Sequence, residues 1–234
     1  MTIRKFFTLT TILFAAFSFV SCSSDDDDND EPNNGVDGNH EYVDLGLPSG
    51  TLWATCNVGA SKPEEYGNYF AWGEIEPKKT YEPGNYKWSS DTCDTFTKYC
   101  TNSLYGNVDN KLELLPEDDA ATANWGNNWC MPSKDQFNEL INSEYTTLEK
   151  ATQNGVVGVK VTSKKNGKTL FFPASGSYWY DKLAETDCGT YWTCSVEETD
   201  SHTAYVVDLR SYGGYWGLRQ RAIGHPVRPV RSSK

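Results

Sequence analysis

The first forty or so residues of this 234-residue chain cannot supply a folded core. Arg4 and Lys5 precede a stretch from Phe6 to Val20 that is apolar apart from scattered Thr and Ser, and Ser21-Cys22 closes it. That order is the one a secretory signal peptide has, and the stretch is too short and too polar for a membrane span. Asp25, Asp26, Asp27 and Asp28 follow almost at once. Like charges in series repel, stay hydrated and bury nothing. The fold must therefore be built from about residues 41 to 234.

Phe19-Val20-Ser21-Cys22 resembles a bacterial lipobox, in which a small residue precedes a diacylglycerol-bearing cysteine. The resemblance implies that residues 1–21 are a lipoprotein signal peptide, that Cys22 is the lipid attachment site, and that 22–40 form a lipidated, acidic, disordered tether. The acidic run also resembles the surface-export signal of lipoproteins in the Bacteroides group. That implies a lipid-anchored protein of the outer membrane, exposed at the cell surface. A plain spacer on a periplasm-facing lipoprotein is the alternative.

The formal charge is −11, and setting aside Arg4, Lys5 and the seven acids of residues 23 to 40 leaves about −6 on the folded part. An acidic domain without a basic stripe argues against nucleic acid, whose phosphates demand clustered Lys and Arg. The expected partners are the membrane, through the anchor, and an extracellular protein or glycan. Aromatic residues make up 14% of the chain, alongside 19 Gly and 10 Pro. Such a mixture suits irregular segments packed by large rings.

Six cysteines follow Cys22: Cys56, Cys93, Cys100, Cys130, Cys188 and Cys194. In an exported chain disulfides are permitted, and Cys93 with Cys100, flanking a short polar aromatic loop, is the first candidate pair. No CxxC pair and no His spaced for tetrahedral coordination accompanies them, so neither a metal nor a cofactor is expected.

Strand patterns are read at Tyr42 to Gly50 and Thr51 to Val58, and a one-turn helix at Ser61 to Gly67. Gly73 to Leu115 reads as a long structured loop. Helices are expected over Asp118 to Asn124 and over Ser133 to Ile141, the second from a Ser133–Gln136 capping box with Phe137, Leu140 and Ile141 on one face. Val157 to Lys164 and Thr169 to Phe172 read as a hairpin on a type I′ Asn166-Gly167 turn. Further strands are expected near Gly189 to Val196, Thr203 to Arg210, Gly214 to Gln220 and Pro226 to Val230.

The run DLGLPSGTLWATCNVGASKPEEYGNYFAWGE, then DDAATANWGNNWCMPSKDQFNELI, GTYWTCS and a closing HPVRPV resembles the Fibrobacter succinogenes major paralogous domain family from about Glu41 to Val230. That family is similar to C-type lectin-like folds, a group that includes formylglycine-generating enzymes. The resemblance implies an α+β domain over 41–234, with short helices in its first half and a twisted, mostly antiparallel sheet in its second. It also implies a ligand face formed by Tyr212, Tyr215, Trp216, Arg219 and Arg221, with Tyr178, Trp179 and Tyr180 as a neighbouring cluster. Trp, Tyr and Arg are the usual interface anchors, and Gly213-Gly214 gives their loop freedom. The competing reading is that these rings pack an irregular core.

No GxSxG, HExxH or P-loop is present, and His40, His202 and His225 show no triad order or metal spacing. Cys188 and Cys194 stand late in the chain, as the cysteine pair of formylglycine-generating enzymes does, but the Arg-Gly-Gly-Ser-Trp type signature of those enzymes is missing and their chemistry does not carry over. Asp118-Asp119 is explained by a helix N-terminus, where acids favour the dipole. The NWGNNW run, Asn124 to Trp129, lacks the carboxylates that calcium would need. The expectation is a non-catalytic surface module, an adhesin or other ligand-binding domain. The alternatives are a component of a fimbria-like assembly and a divergent enzyme.

Overall fold

The computed structural model describes residues 34–90 and 95–232, so the signal peptide, Cys22, the aspartate run and Cys93 lie outside the described residues. In chain order the strands are β1 (Gly35–Asp37), β2 (His40–Asp44), β3 (Thr51–Ala54), β4 (Tyr69–Phe70), β5 (Thr146–Gln153), β6 (Val156–Ser163) and β7 (Thr169–Pro173). There follow β8 (Ser177–Trp179), β9 (Lys182–Ala184), β10 (Gly189–Val196), β11 (Thr203–Arg210), β12 (Gly213–Gln220), β13 (His225–Pro226) and β14 (Val230–Ser232). Two helices, α1 (Ala120–Trp125) and α2 (Lys134–Ile141), stand between β4 and β5.

These strands form small antiparallel sheets ordered β1-β2-β3-β14, β10-β11-β12, β5-β6-β7, β13-β4 and β8-β9. The expected α+β, C-type lectin-like arrangement is therefore overturned. The described chain is mostly β, with 40% strand and 12% helix, its sheets are several and small, and both α-helices fall beyond residue 119. The physical reason lies in the first half. At Ser61 to Gly67 the chain closes one turn, Glu65 N–H donating to Lys62 O at 3.1 Å, and Gly67, at a φ of 71°, ends it before a helix is built. The folded part also begins earlier than expected, since Gly35–Asp37 pairs with His40–Tyr42 inside the stretch read as tether.

The capping box of α2 forms as its sequence asks: Ser133 Oγ accepts the Gln136 N–H, and Gln136 Oε1 accepts the Ser133 N–H at 2.8 Å. Phe137 and Leu140 then point inward. The β6–β7 connection departs from a two-residue type I′ turn. Ser163 N–H donates to Lys168 O and Ser163 Oγ accepts the Lys165 and Asn166 N–H groups, which opens a longer loop.

The β10-β11-β12 sheet is the centre of the molecule, and its first strand is buried throughout. From one face Tyr191, Val207 and Leu209 join Trp53, Phe137, Phe172 and Val230. From the other Trp192, Val206 and Ala204 join Trp72, Tyr99 and Met131. A strand covered on both faces reads as a continuous apolar run, as GTYWTCSV does. Arg228, fully buried, ties the C-terminal segment to its neighbours by donating to Asn57 Oδ1, Ala54 O and Phe171 O at 2.8, 3.3 and 3.1 Å.

Candidate ligand-binding face

Side chains alternate along β12, and the two sides meet opposite environments. Gly214 and Trp216 face α2: a Cβ on Gly214 would lie 2.4 Å from Ile141 Cγ2, and Trp216 Nε1 donates to Asn138 Oδ1 at 2.9 Å. Tyr215 and Arg219 stand on the other side. Arg219 Nη2 donates across the strands to Asp208 Oδ2 at 3.1 Å, and Thr190 Oγ1 donates to Asp208 Oδ1 at 2.7 Å. Glu185 approaches the same guanidinium at 3.8 Å, and Asp187 approaches Arg210 at 4.0 Å. These ion pairs hold residues 185–187 against the face that carries Tyr215.

Tyr212 sits in the β11–β12 turn, 71% exposed, with its ring 5.7 Å from that of Tyr215, itself 47% exposed. Tyr180 tips the β8–β9 hairpin. Its φ of 55° is a left-handed value that a bulky residue rarely adopts, and it is held there by reciprocal bonds with Tyr81 of 2.7 and 2.8 Å. Tyr178 is turned inward, edge-on to Tyr69 at 4.8 Å, while Trp179 contacts Tyr180 at 5.3 Å. The structure thus separates the expected residues. Tyr180, Tyr212 and Tyr215 are exposed, Arg219 is fixed on their side, Trp216 and Tyr178 are half-buried props, and Arg221 is buried.

Arg221 is 1% exposed, donating to Tyr86 Oη, Tyr99 O, Ser201 O and Lys98 O. Asp208, Thr190 and Glu185 are not legible as partners in the sequence, because only the strand register brings them to Arg219. The register of β11 on β12, Asp208 opposite Tyr215, is the signal that would find Asp208.

Burial raises the Cys188 thiol and pushes that of Cys194 up to about 12, which keeps both protonated and poor as nucleophiles. Cys188 stands just before β10 and Cys194 within it, and both thiols are free. No disulfide joins the described cysteines: Cys100, the expected partner of Cys93, has a free thiol that donates to Asn102 O at 3.2 Å.

Asp119 caps α1 through the Ala121 and Thr122 N–H groups, and Asp118 accepts from Tyr99 Oη at 2.6 Å, so this acid pair is structural. Asn124 donates to Ile75 O and Ala120 O, and Asn128 to Asp37. Among the described residues no group of three or more His, Cys, Asp or Glu could hold a metal, and no helix is long and apolar enough to cross a membrane. Comparison with protein-family models, curated proteins and solved structures finds no match to this chain.

Proposed function

We propose that this chain is a lipid-anchored surface protein of the outer membrane whose folded part binds an external protein or glycan and performs no chemistry. The observation that carries the reading is the exposed Tyr212–Tyr215 pair beside an Arg219 already fixed by Asp208 and Glu185. Two large amphipathic rings next to a pre-oriented guanidinium supply contact area at low ordering cost. The lipobox-like Phe19 to Cys22 and the resemblance to the major paralogous domain family support the same role, an exported display module.

Two measurements test it. Cys22→Ala should release the protein from the membrane fraction, and protease added to intact cells should cleave the wild type. Detergent-solubilised full-length protein, screened on glycan and protein arrays, should bind a ligand that Tyr212→Ala/Tyr215→Ala weakens at least tenfold with an unchanged melting temperature. Blank arrays, or a double variant that binds like the wild type, would remove the reading.

A further inference from the structure

Buried charge is costly unless a counter-charge or a full set of hydrogen bonds meets it. Two arginines of this protein are buried with no carboxylate in ion-pair reach among the described residues, Arg221 and Arg228. Arg228 is enclosed by the core. Arg221 differs in one respect: it lines a cavity of about 160 Å³ together with Tyr86, Phe96, His202 and Gln220.

The guanidinium is rigidly set. Its carbon lies 4.9 Å from the Trp72 ring, 5.3 Å from Tyr86 and 4.6 Å from Phe96. Nε donates to Tyr86 Oη, Nη1 to two carbonyls and Nη2 to one, all neutral acceptors. Arginine carries five N–H groups, so one of Nη2 has no acceptor among the described residues. Among the described residues Arg221 is the one formally charged residue of the cavity wall. At the rim, His202 is fixed edge-on to Phe96 at 5.0 Å and bonded through Nδ1 to Asp200 at 3.0 Å, and its Nε2 has no hydrogen-bond partner among the described residues. The Gln220 side chain is exposed and makes no hydrogen bond among the described residues.

We propose that this cavity receives the carboxylate of a ligand, with the Arg221 guanidinium as its counter-charge and His202 and Gln220 as rim contacts. One carboxylate oxygen can accept the leftover Nη2 donor in a single charge-assisted bond, and the rings around it exclude water, which strengthens that bond. The volume admits a headgroup rather than a whole ligand, so the rest of the molecule lies outside. An acidic sugar and an acidic peptide side chain share this chemistry. The inference rests on the binding-module reading, but the site is distinct from the Tyr212–Tyr215 pair and is tested separately.

The test is a titration of ¹⁵N-labelled full-length protein, following the Arg221 Nε–H resonance with glucuronate, N-acetylaspartate amide and uncharged glucose as probes. At least one carboxylate should shift that resonance saturably while glucose does not, and the one that does identifies a sugar or a peptide source. His202→Ala and Gln220→Ala should each weaken that binding at least threefold with unchanged melting temperature. They replace an Arg221 substitution, which would unfold the layer around it. If neither carboxylate shifts Arg221, or glucose shifts it equally, the inference is overturned, whatever becomes of the Tyr212–Tyr215 face.

Discussion

His225 meets Trp192 edge to face, ring centres 4.7 Å apart, and neither imidazole nitrogen makes a hydrogen bond among the described residues. The ring is fully buried, pinned by the pairing of His225 with Phe70, while Trp192 Nε1 donates to Phe70 O at 2.8 Å. Burial, with the nearby Arg219 charge adding to it, lowers the His225 pKa to about 3.

That depression sets an acid limit on stability. The folded state keeps His225 neutral, whereas the unfolded chain takes up a proton below its ordinary pKa of about 6.5. Its contribution is therefore complete above about pH 6.5 and is lost progressively as pH falls towards 3, the loss reaching about 3 kcal/mol by pH 4.5. Urea unfolding of the wild type and of His225→Phe at pH 7.5, 6 and 4.5 should show a flatter pH dependence in the variant. Parallel curves would mean that His225 does not set the acid limit.

Tyr215 and Trp216 are adjacent in sequence and opposite in role. Trp216 packs against the Val207 and Leu209 cluster and bonds to Asn138, whereas the Tyr215 ring touches Tyr212 and solvent. Trp216→Ala should cost about 3 kcal/mol, as the deletion of a large packed ring does, while Tyr215→Ala should stay within about 0.5 kcal/mol. Thermal melts of the two variants decide it. Equal losses would place Tyr215 in the core and take it out of the candidate face.

What local rules control is legible in the sequence. The Ser133–Gln136 capping box locates α2, and the apolar runs of β10 and β11 match their strands to the residue. Strand β5 escapes because Glu149 and Lys150 are both exposed though they point to opposite faces, and only Thr146 is fully buried, so the alternation is lost and the pattern resembles a polar linker. The stretch from Gly73 to Leu115 is legible as irregular. Its purpose is not, since Tyr86, Phe96 and Tyr99 are gathered around Arg221 by contacts more than a hundred residues apart. Arg219 and Arg221 look alike in sequence. One meets Asp208 across a strand pair, and the other turns inward after β12 ends, where its N–H donates to His202 O.

The Asp208–Arg219 pair decides how firmly the candidate face is held. Asp208 is 8% exposed and among the described residues bonds only to Thr190 besides Arg219, so removing the arginine leaves a nearly buried carboxylate with one hydroxyl. Arg219→Met should cost about 2 kcal/mol, because an unpaired buried charge carries most of its desolvation penalty. Asp208→Asn should cost less, about 1 kcal/mol, since Arg219 is a quarter exposed and keeps Glu185 at 3.8 Å. In the double variant neither charge is stranded, so its loss should fall short of the sum by about 1 kcal/mol, the coupling expected of groups in contact. Urea unfolding of the four proteins at pH 7.5 measures that coupling. Additivity within about 0.3 kcal/mol would show that Arg219 is not anchored by Asp208, and the pre-oriented guanidinium on which the binding face depends would be lost with it.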